Sequence, residues 1–319
     1  MAKQLYGAEG VNINDSWYIR QDNRYYAYYL QYPSDAPEDG RWNQQSIGLS
    51  VSDNLLDWEY KGTVLAPSVE CWCNKGLATG STVEKDGMAH MLYTGNGWNG
   101  KDGLGLAVSR DFIHFERVGD GPVIRRDDPF LFPYRDGFLK CRILADPYIY
   151  PVPVDGYYYV FINCYAIDRP IGSRGCIAVM RSEDLISYQP YDVALLSDSF
   201  DRLETPQVWY QAGKWVMYFG AVKAREENGA AKDYAYQNLI YLSDEMTGGY
   251  VETEGSVLYL PDGVDFYIGK AVEISENDAV FIANVYPGGG RGLYHIQLQD
   301  GGVTITEQTE LKETYYHEQ

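Results

Sequence analysis

Positive charge is scarce in this sequence: 26 Lys and Arg stand against 45 Asp and Glu, a net charge of −19. A surface of that sign repels phosphate backbones and anionic headgroups, which argues against nucleic-acid and membrane partners. Long apolar runs are missing, so no segment reads as a membrane span. The opening MAKQLYGAEG lacks the apolar stretch of a signal peptide, and the expected compartment is the cytoplasm. Histidine is rare, at four, and the five cysteines are an odd number in a large chain, so neither a zinc site nor a disulfide framework is expected. Cys71, Trp72 and Cys73 resemble half a metal site, but no CxxC or HExxH accompanies them, and free thiols are the expectation. No GxSxG, Walker or GxGxxG motif occurs in a fitting context, and helical periodicity is nearly absent.

Tyrosine is what the chain has in excess: 30 residues against 10 Phe. That favours strands and a surface of amphipathic rings of the kind sugars pack on, and 45% hydrophobic content is enough for a sizeable core. The length of 319 residues allows two domains or one large all-β domain. An internal repeat decides for the second. DSWYIRQDNRYYAYYLQY from Asp15 returns as GSTVEKDGMAHMLYTGN from Gly80 and DPYIYPVPVDGYYYVFINCY from Asp146. It returns again as ETPQVWYQAGKWVMYFGAV from Glu204 and GKAVEISENDAVFIANVY from Gly269. Each copy is a short strand, a tight turn of hairpin type and a longer apolar strand. A second strand pair follows each, as in SIGLSVSDNLLDW then EYKGTVL, or GCIAVMRSEDLISY then QPYDVALL. A unit of four antiparallel strands cannot bury both faces alone, whereas radial neighbours cover them. The sequence therefore predicts an all-β fold, a five-bladed β-propeller of four antiparallel strands per blade, as one domain over residues 1–319 without a C-terminal β-sandwich.

The first strand of a blade lies nearest the axis, so a residue just ahead of it is expected to point into the central funnel. Asp15, Asp146 and Glu204 hold that station in three different blades, and Thr79–Ser81 and Gly269–Lys270 hold it in the other two. Singly, each acid could be an ordinary turn residue bonding local N–H groups. Together they would repel one another and raise at least one pKa, so that one group keeps its proton near neutral pH. Glycoside hydrolysis uses that arrangement: one carboxylic acid protonates the leaving oxygen while a second carboxylate attacks the anomeric carbon or activates water. A structural Ca²⁺ on the axis is the other use of clustered oxygens. No redox or nucleotide cofactor and no other metal is implied.

These segments resemble the five-bladed glycoside hydrolases of families 32, 68 and 43. Asn14 and Asp15 ahead of a Tyr-rich strand with Gln31 are similar to the family 32 nucleophile segment; Ala145, Asp146 and Pro147 to its Arg-Asp-Pro motif; Glu204, Thr205 and Pro206 to its Glu-Cys-Pro motif. TGSTVEKDGMAHMLYTGN is similar to the Ser-Gly-Ser blade, and Asp265, Phe266 and Tyr267 to an Asp-Phe-Tyr segment of blade five. The resemblance implies Asp15 as nucleophile, Asp146 as transition-state stabiliser and Glu204 as acid/base; by family 43 analogy the same three are base, pKa modulator and acid. Departures are Ser16, Trp17 and Tyr18 where family 32 has Pro-Asn-Gly, Ala145 for the motif arginine, with Arg142 nearby, and Thr205 for cysteine. Asn14, Gln31, Ser81, Arg142 and Tyr267 are candidates for sugar hydroxyls, and Trp42 and Trp72 for a stacking platform. The expected activity is a glycosidase on a furanoside or short oligosaccharide, with fructosides favoured. The alternatives are an inverting family 43-like arabinofuranosidase or xylosidase, and a sugar-binding propeller without turnover. The expected partner is a small carbohydrate, and self-association is left open.

Overall fold

The computed structural model describes residues 7–37, 41–98, 100, 102–126, 129–263, 266–275, 278–285, 290–299 and 302–307. The strands form five antiparallel sheets that follow one another along the chain. Blade 1 comprises Val11–Gln21, Arg24–Pro33, Ser46–Ser52 and Glu59–Leu65. Blade 2 has Gly76–Lys85, Met88–Asn96 and Gly103–Ser109, with its outer strand broken into Glu116–Arg117 and Ile124–Arg125. Blade 3 has Gly137–Ile149, Tyr158–Ala166, Gly175–Ser182 and Gln189–Leu196, and an added strand, Phe130–Tyr134, pairs with the start of its inner strand. Blade 4 is Arg202–Gln211, Lys214–Glu227, Ala230–Ser243 and Val251–Val257; blade 5 is Phe266–Ser275, Asp278–Val285, Gly290–Gln299 and Gly302–Glu307. Each inner strand packs on the next, and the fifth returns to the first, closing a five-bladed propeller.

The turns follow from residue chemistry. A two-residue hairpin of type I′ needs two consecutive positive φ values. Asp22 and Asn23, Asp86 and Gly87, Asp155 and Gly156, and Ala212 and Gly213 all supply them. The core is divided among the seams between blades. Leu92 and Ile143 meet between blades 2 and 3, Trp17 and Tyr93 between 1 and 2, Phe161 and Phe219 between 3 and 4, Tyr218 and Phe281 between 4 and 5, and Tyr25 and Val280 between 5 and 1.

Two expectations are corrected here. Much of the tyrosine excess is internal rather than on the surface: Tyr25, Tyr28, Tyr29, Tyr93 and Tyr218 are among the largest fully buried side chains. A buried Tyr needs a partner for its hydroxyl, and Tyr28 donates to the Phe112 carbonyl at 2.7 Å while Tyr218 donates to Asn238 Oδ1 at 2.5 Å. Cys71 and Cys73 are joined by a disulfide rather than free, whereas Cys141, Cys164 and Cys176 are free and buried. The two cysteines are only two residues apart, yet their Cα atoms lie 5.1 Å from each other, within the span a disulfide bridges. Among the described residues no helix is long and apolar enough to cross a membrane.

Candidate active site

Every inner strand slips register at the same height. The irregularities fall between Ile13 and Ser16, Ala78 and Gly80, Ala145 and Tyr148, Glu204 and Gln207, and Phe266 and Gly269. A bulge adds a residue to one strand, bends it and re-aims side chains. Here the slips hold Asp15, Thr79, Asp146, Glu204 and Tyr267, one from each blade, which line a common cavity. Asp15 is thus inside the strand Val11–Gln21 and not ahead of it, and Asp146 and Glu204 are likewise internal to Gly137–Ile149 and Arg202–Gln211. The strands begin earlier than the hairpin pattern suggested, because a bulge breaks the alternation that marks a strand. Asp146 has φ 59° and Thr205 φ 49°. The left-handed region is tolerable for Asp but strained for a β-branched Thr, and strain of this kind persists where surrounding contacts fix it.

Those contacts are a hydrogen-bond chain around the axis. Thr79 of blade 2 donates its hydroxyl to Asp15 Oδ2 of blade 1. Thr94 Oγ1 donates to the Thr79 carbonyl at 3.0 Å and accepts from the Asp146 N–H at 3.2 Å. Asp146 Oδ2 in turn accepts the strained Thr205 N–H at 3.1 Å and Asn163 Nδ2 at 3.3 Å. Lys270 of blade 5 donates to the carbonyls of Thr205 and Pro206 at 2.8 and 3.0 Å, pinning the bulge from behind. Glu204 is held on both oxygens, by Arg202 Nε at 2.9 Å and by the Tyr267 hydroxyl at 3.3 Å. Tyr267 leans on Tyr236 with ring centroids 5.1 Å apart. Tyr236 fits only because residue 220 is glycine, since a Cβ there would collide with its hydroxyl.

Asp15, Asp146 and Glu204 line one cavity of about 420 Å³. Burial is the main force raising the Asp146 pKa; the Thr205 N–H, Asn163, Lys270 and Thr79 pull it back. Burial also raises Glu204, and the neighbouring Asp146 adds to it; Arg202 opposes, and Asp15 adds again. Burial pushes the Lys270 ammonium down to about 8 against the pull of Asp146 and Asp15. One strongly buried cation thus lies behind three acids, two of which have their pKa raised by burial. That is the asymmetry acid/base work requires. Among the described residues no group of three or more His, Cys, Asp or Glu side chains is arranged to hold a metal ion.

The expected binding residues divide. Asn14 and Tyr267 line the cavity with the acids. Gln31 is buried beside it, donating to Thr63 Oγ1 at 2.7 Å, and is not a lining residue. Ser81 accepts the Ile149 N–H at 3.0 Å and faces a different cavity of about 230 Å³ on the other side of Lys270. Trp72 stacks on Tyr93 in the seam between blades 1 and 2, with only 6% of its surface exposed, so it is core and not a platform. Arg142 is exposed and outside the cavity. Trp42 belongs to the short helix Arg41–Gln44, but its side chain lies outside the described residues, as does Asp265.

Sequence reasoning put Thr79 and Lys270 at the stations of blades 2 and 5 without giving either a role, and it missed Asn163, Arg202, Gln45 and Arg126 on the cavity wall. Asn163 Oδ1 and Gln45 Nε2 are buried without protein partners. An unpaired buried acceptor and donor on a cavity wall suit sugar hydroxyls. Lys270 carried a usable signal, since it is a charged residue in an apolar inner-strand segment.

A sequence model described as the glycosyl hydrolases family 32 N-terminal domain matches residues 12–285. Sucrose-6-phosphate hydrolase of Escherichia coli is 33% identical over 108 residues, 31% of this chain and 21% of that protein. The fold superposes on the Bombyx mori family 32 β-fructofuranosidase with a TM-score of 0.69 at 21% identity, covering 93% of this chain and 63% of that one. Bacillus subtilis levansucrase gives 0.71 at 15% identity, covering 98% and 90%. The chain thus spans less than two thirds of the first two relatives, and the structural likenesses, at such identities, establish the fold.

Proposed function

The chain belongs to glycosyl hydrolase family 32, and from that premise we propose that it cleaves fructofuranosides such as sucrose or short fructans, with Asp15 as nucleophile, Glu204 as acid/base and Asp146 as stabiliser. The observation that carries this is the meeting of the three acids in one cavity, with Glu204 raised by burial and bonded on both oxygens. In the first step the protonated Glu204 gives its proton to the glycosidic oxygen while the Asp15 carboxylate attacks the anomeric carbon. Glu204, now ionised, then takes a proton from the water that releases the sugar. Asp146 faces the developing positive charge on the ring, its carboxyl fixed by the Thr205 N–H and Asn163. Asn163 Oδ1 and Gln45 Nε2 are the groups available to accept from and donate to ring hydroxyls.

One observation favours a second reading. Ala145 precedes Asp146 where the resembling motif has arginine, so an arabinofuranoside or xyloside with inversion is the alternative. A panel of sucrose, sucrose 6-phosphate, short fructans and aryl arabinofuranosides, with product anomers read by NMR, separates the two. Turnover of a fructoside with retention is expected, and Glu204→Gln and Asp15→Asn should each lower kcat at least a hundredfold. Full activity in both variants removes the assigned roles, and inversion on an arabinofuranoside favours the alternative. Binding across the panel without turnover would mark a sugar-binding propeller.

A further inference from the structure

Glu204 has a built-in electrostatic counterweight that the hydrolysis scheme itself does not require. Arg202 lies two residues earlier on the same inner strand, and its Nε donates to Glu204 Oε1 at 2.9 Å. Its two terminal nitrogens turn the other way, onto both carboxylate oxygens of Asp233 at 3.1 and 2.5 Å. The guanidinium therefore bridges two carboxylates, with its side chain 23% exposed. A planar fork clamped at both ends has little freedom to rotate, and so it orients the group it bonds.

We propose that Arg202, anchored by Asp233, is a positioning residue that fixes the Glu204 carboxyl and sets the pH at which it releases its proton. This rests on the reading of Glu204 as the acid/base. The charged and titratable groups around Glu204 come from all five blades, blade 2 contributing Arg126 on the cavity wall, where it donates to Asn96 Oδ1 at 2.9 Å. Blade 1 contributes Asp15, and blade 3 contributes Asp146 and Tyr165. Blade 4 contributes Arg202, Asp233 and Tyr236. Blade 5 contributes Tyr267, and Lys270 behind the bulge. Burial, Asp146 and Asp15 all favour the protonated carboxyl. Lys270 donates to backbone carbonyls, and among the described residues Arg202 is the cation hydrogen-bonded to the Glu204 carboxylate. An acid/base must give its proton to the leaving group and later take one back, so a hold that is too tight is as harmful as one too loose. Asp233 divides the guanidinium's attention. Without that charge, Arg202 acts on Glu204 undiluted and one repelling carboxylate is gone.

The two partners therefore predict shifts of opposite sign. In Arg202→Met the basic limb of kcat/KM against pH should move to higher pH; in Asp233→Asn it should move to lower pH; Arg202→Lys should fall between Met and wild type. Limbs that stay put, or move the same way in both variants, overturn the inference. The titration of Glu204 in the free protein, followed by NMR on ¹³C-carboxyl-labelled glutamate and assigned with Glu204→Gln, should show the same opposed shifts. That readout needs no substrate. Opposed shifts without turnover on any fructoside would sink the hydrolase reading alone, and normal turnover with an unmoved titration would sink only the role of Arg202. Should Arg202→Met fail to fold, Asp233→Asn still decides, because its shift has a sign of its own.

Discussion

At the scale of single residues, Glu204 costs the fold more when charged than when neutral. Its folded pKa is raised, first by burial and then by Asp146. The sign follows by linkage. The stability it contributes is complete below the ordinary carboxylate range, near pH 4, and is lost as pH rises through the raised folded value. Glu204→Gln should therefore gain in Tm relative to wild type as pH rises from 4 to 7.5, by about 1–3 °C for each kcal/mol relieved. Thermal melts at both pH values check this, and a gap that shrinks toward neutral pH contradicts it. The three acids were legible in the sequence because a repeat put them in register, so that each lent meaning to the others. The roles of Thr79 and Lys270 were not, because they lie in contacts between blades, and those of Arg202 and Asn163 were not, because they depend on which side chains meet across a bulge or a strand pair. Lys270 acts on residues 64 and 65 positions away, and Thr79 on one 64 away.

At the scale of elements, the turns were readable and the bulges were not. A turn states its geometry locally. Asp184 accepts the N–H groups of Ile186 and Ser187 at 2.9 and 2.8 Å, and this brings Leu185 to φ 61° and into the core. Asn54 and Asp111 do the same for Leu55 and Phe112 in blades 1 and 2. Backbone N–H bonds, led by that of Ser187, lower the Asp184 pKa. The contribution is thus present above the ordinary carboxylate range and lost as pH falls. Asp184→Ala should cost about 1 kcal/mol in urea unfolding at pH 7, and less at pH 3. Equal losses at both pH values would mean that the carboxylate is not the cap. A bulge, by contrast, has no residue signature of its own. Asp15 read as a residue ahead of a strand because the slip between Ile13 and Ser16 interrupts the alternation.

At the scale of the whole molecule, the number of blades was legible because each copy of the hairpin has a face that only a neighbour can cover. The five seam clusters are the physical form of that requirement. The fate of the tyrosines and of Trp72 was not legible, since composition says that rings are plentiful and not which of them a seam will take. Closure of the ring is what brings Asp15, Asp146 and Glu204 from positions far apart in the chain to one cavity wall. The most direct test of that claim is a crystal structure of Glu204→Gln with a fructoside bound. The account predicts a sugar in the cavity of Asp15 and Asp146, its anomeric carbon facing the Asp15 carboxylate and its glycosidic oxygen within hydrogen-bond reach of the side chain at position 204. A sugar bound elsewhere on the propeller, or lying in the cavity with Asp15 turned away from its anomeric carbon, would contradict it.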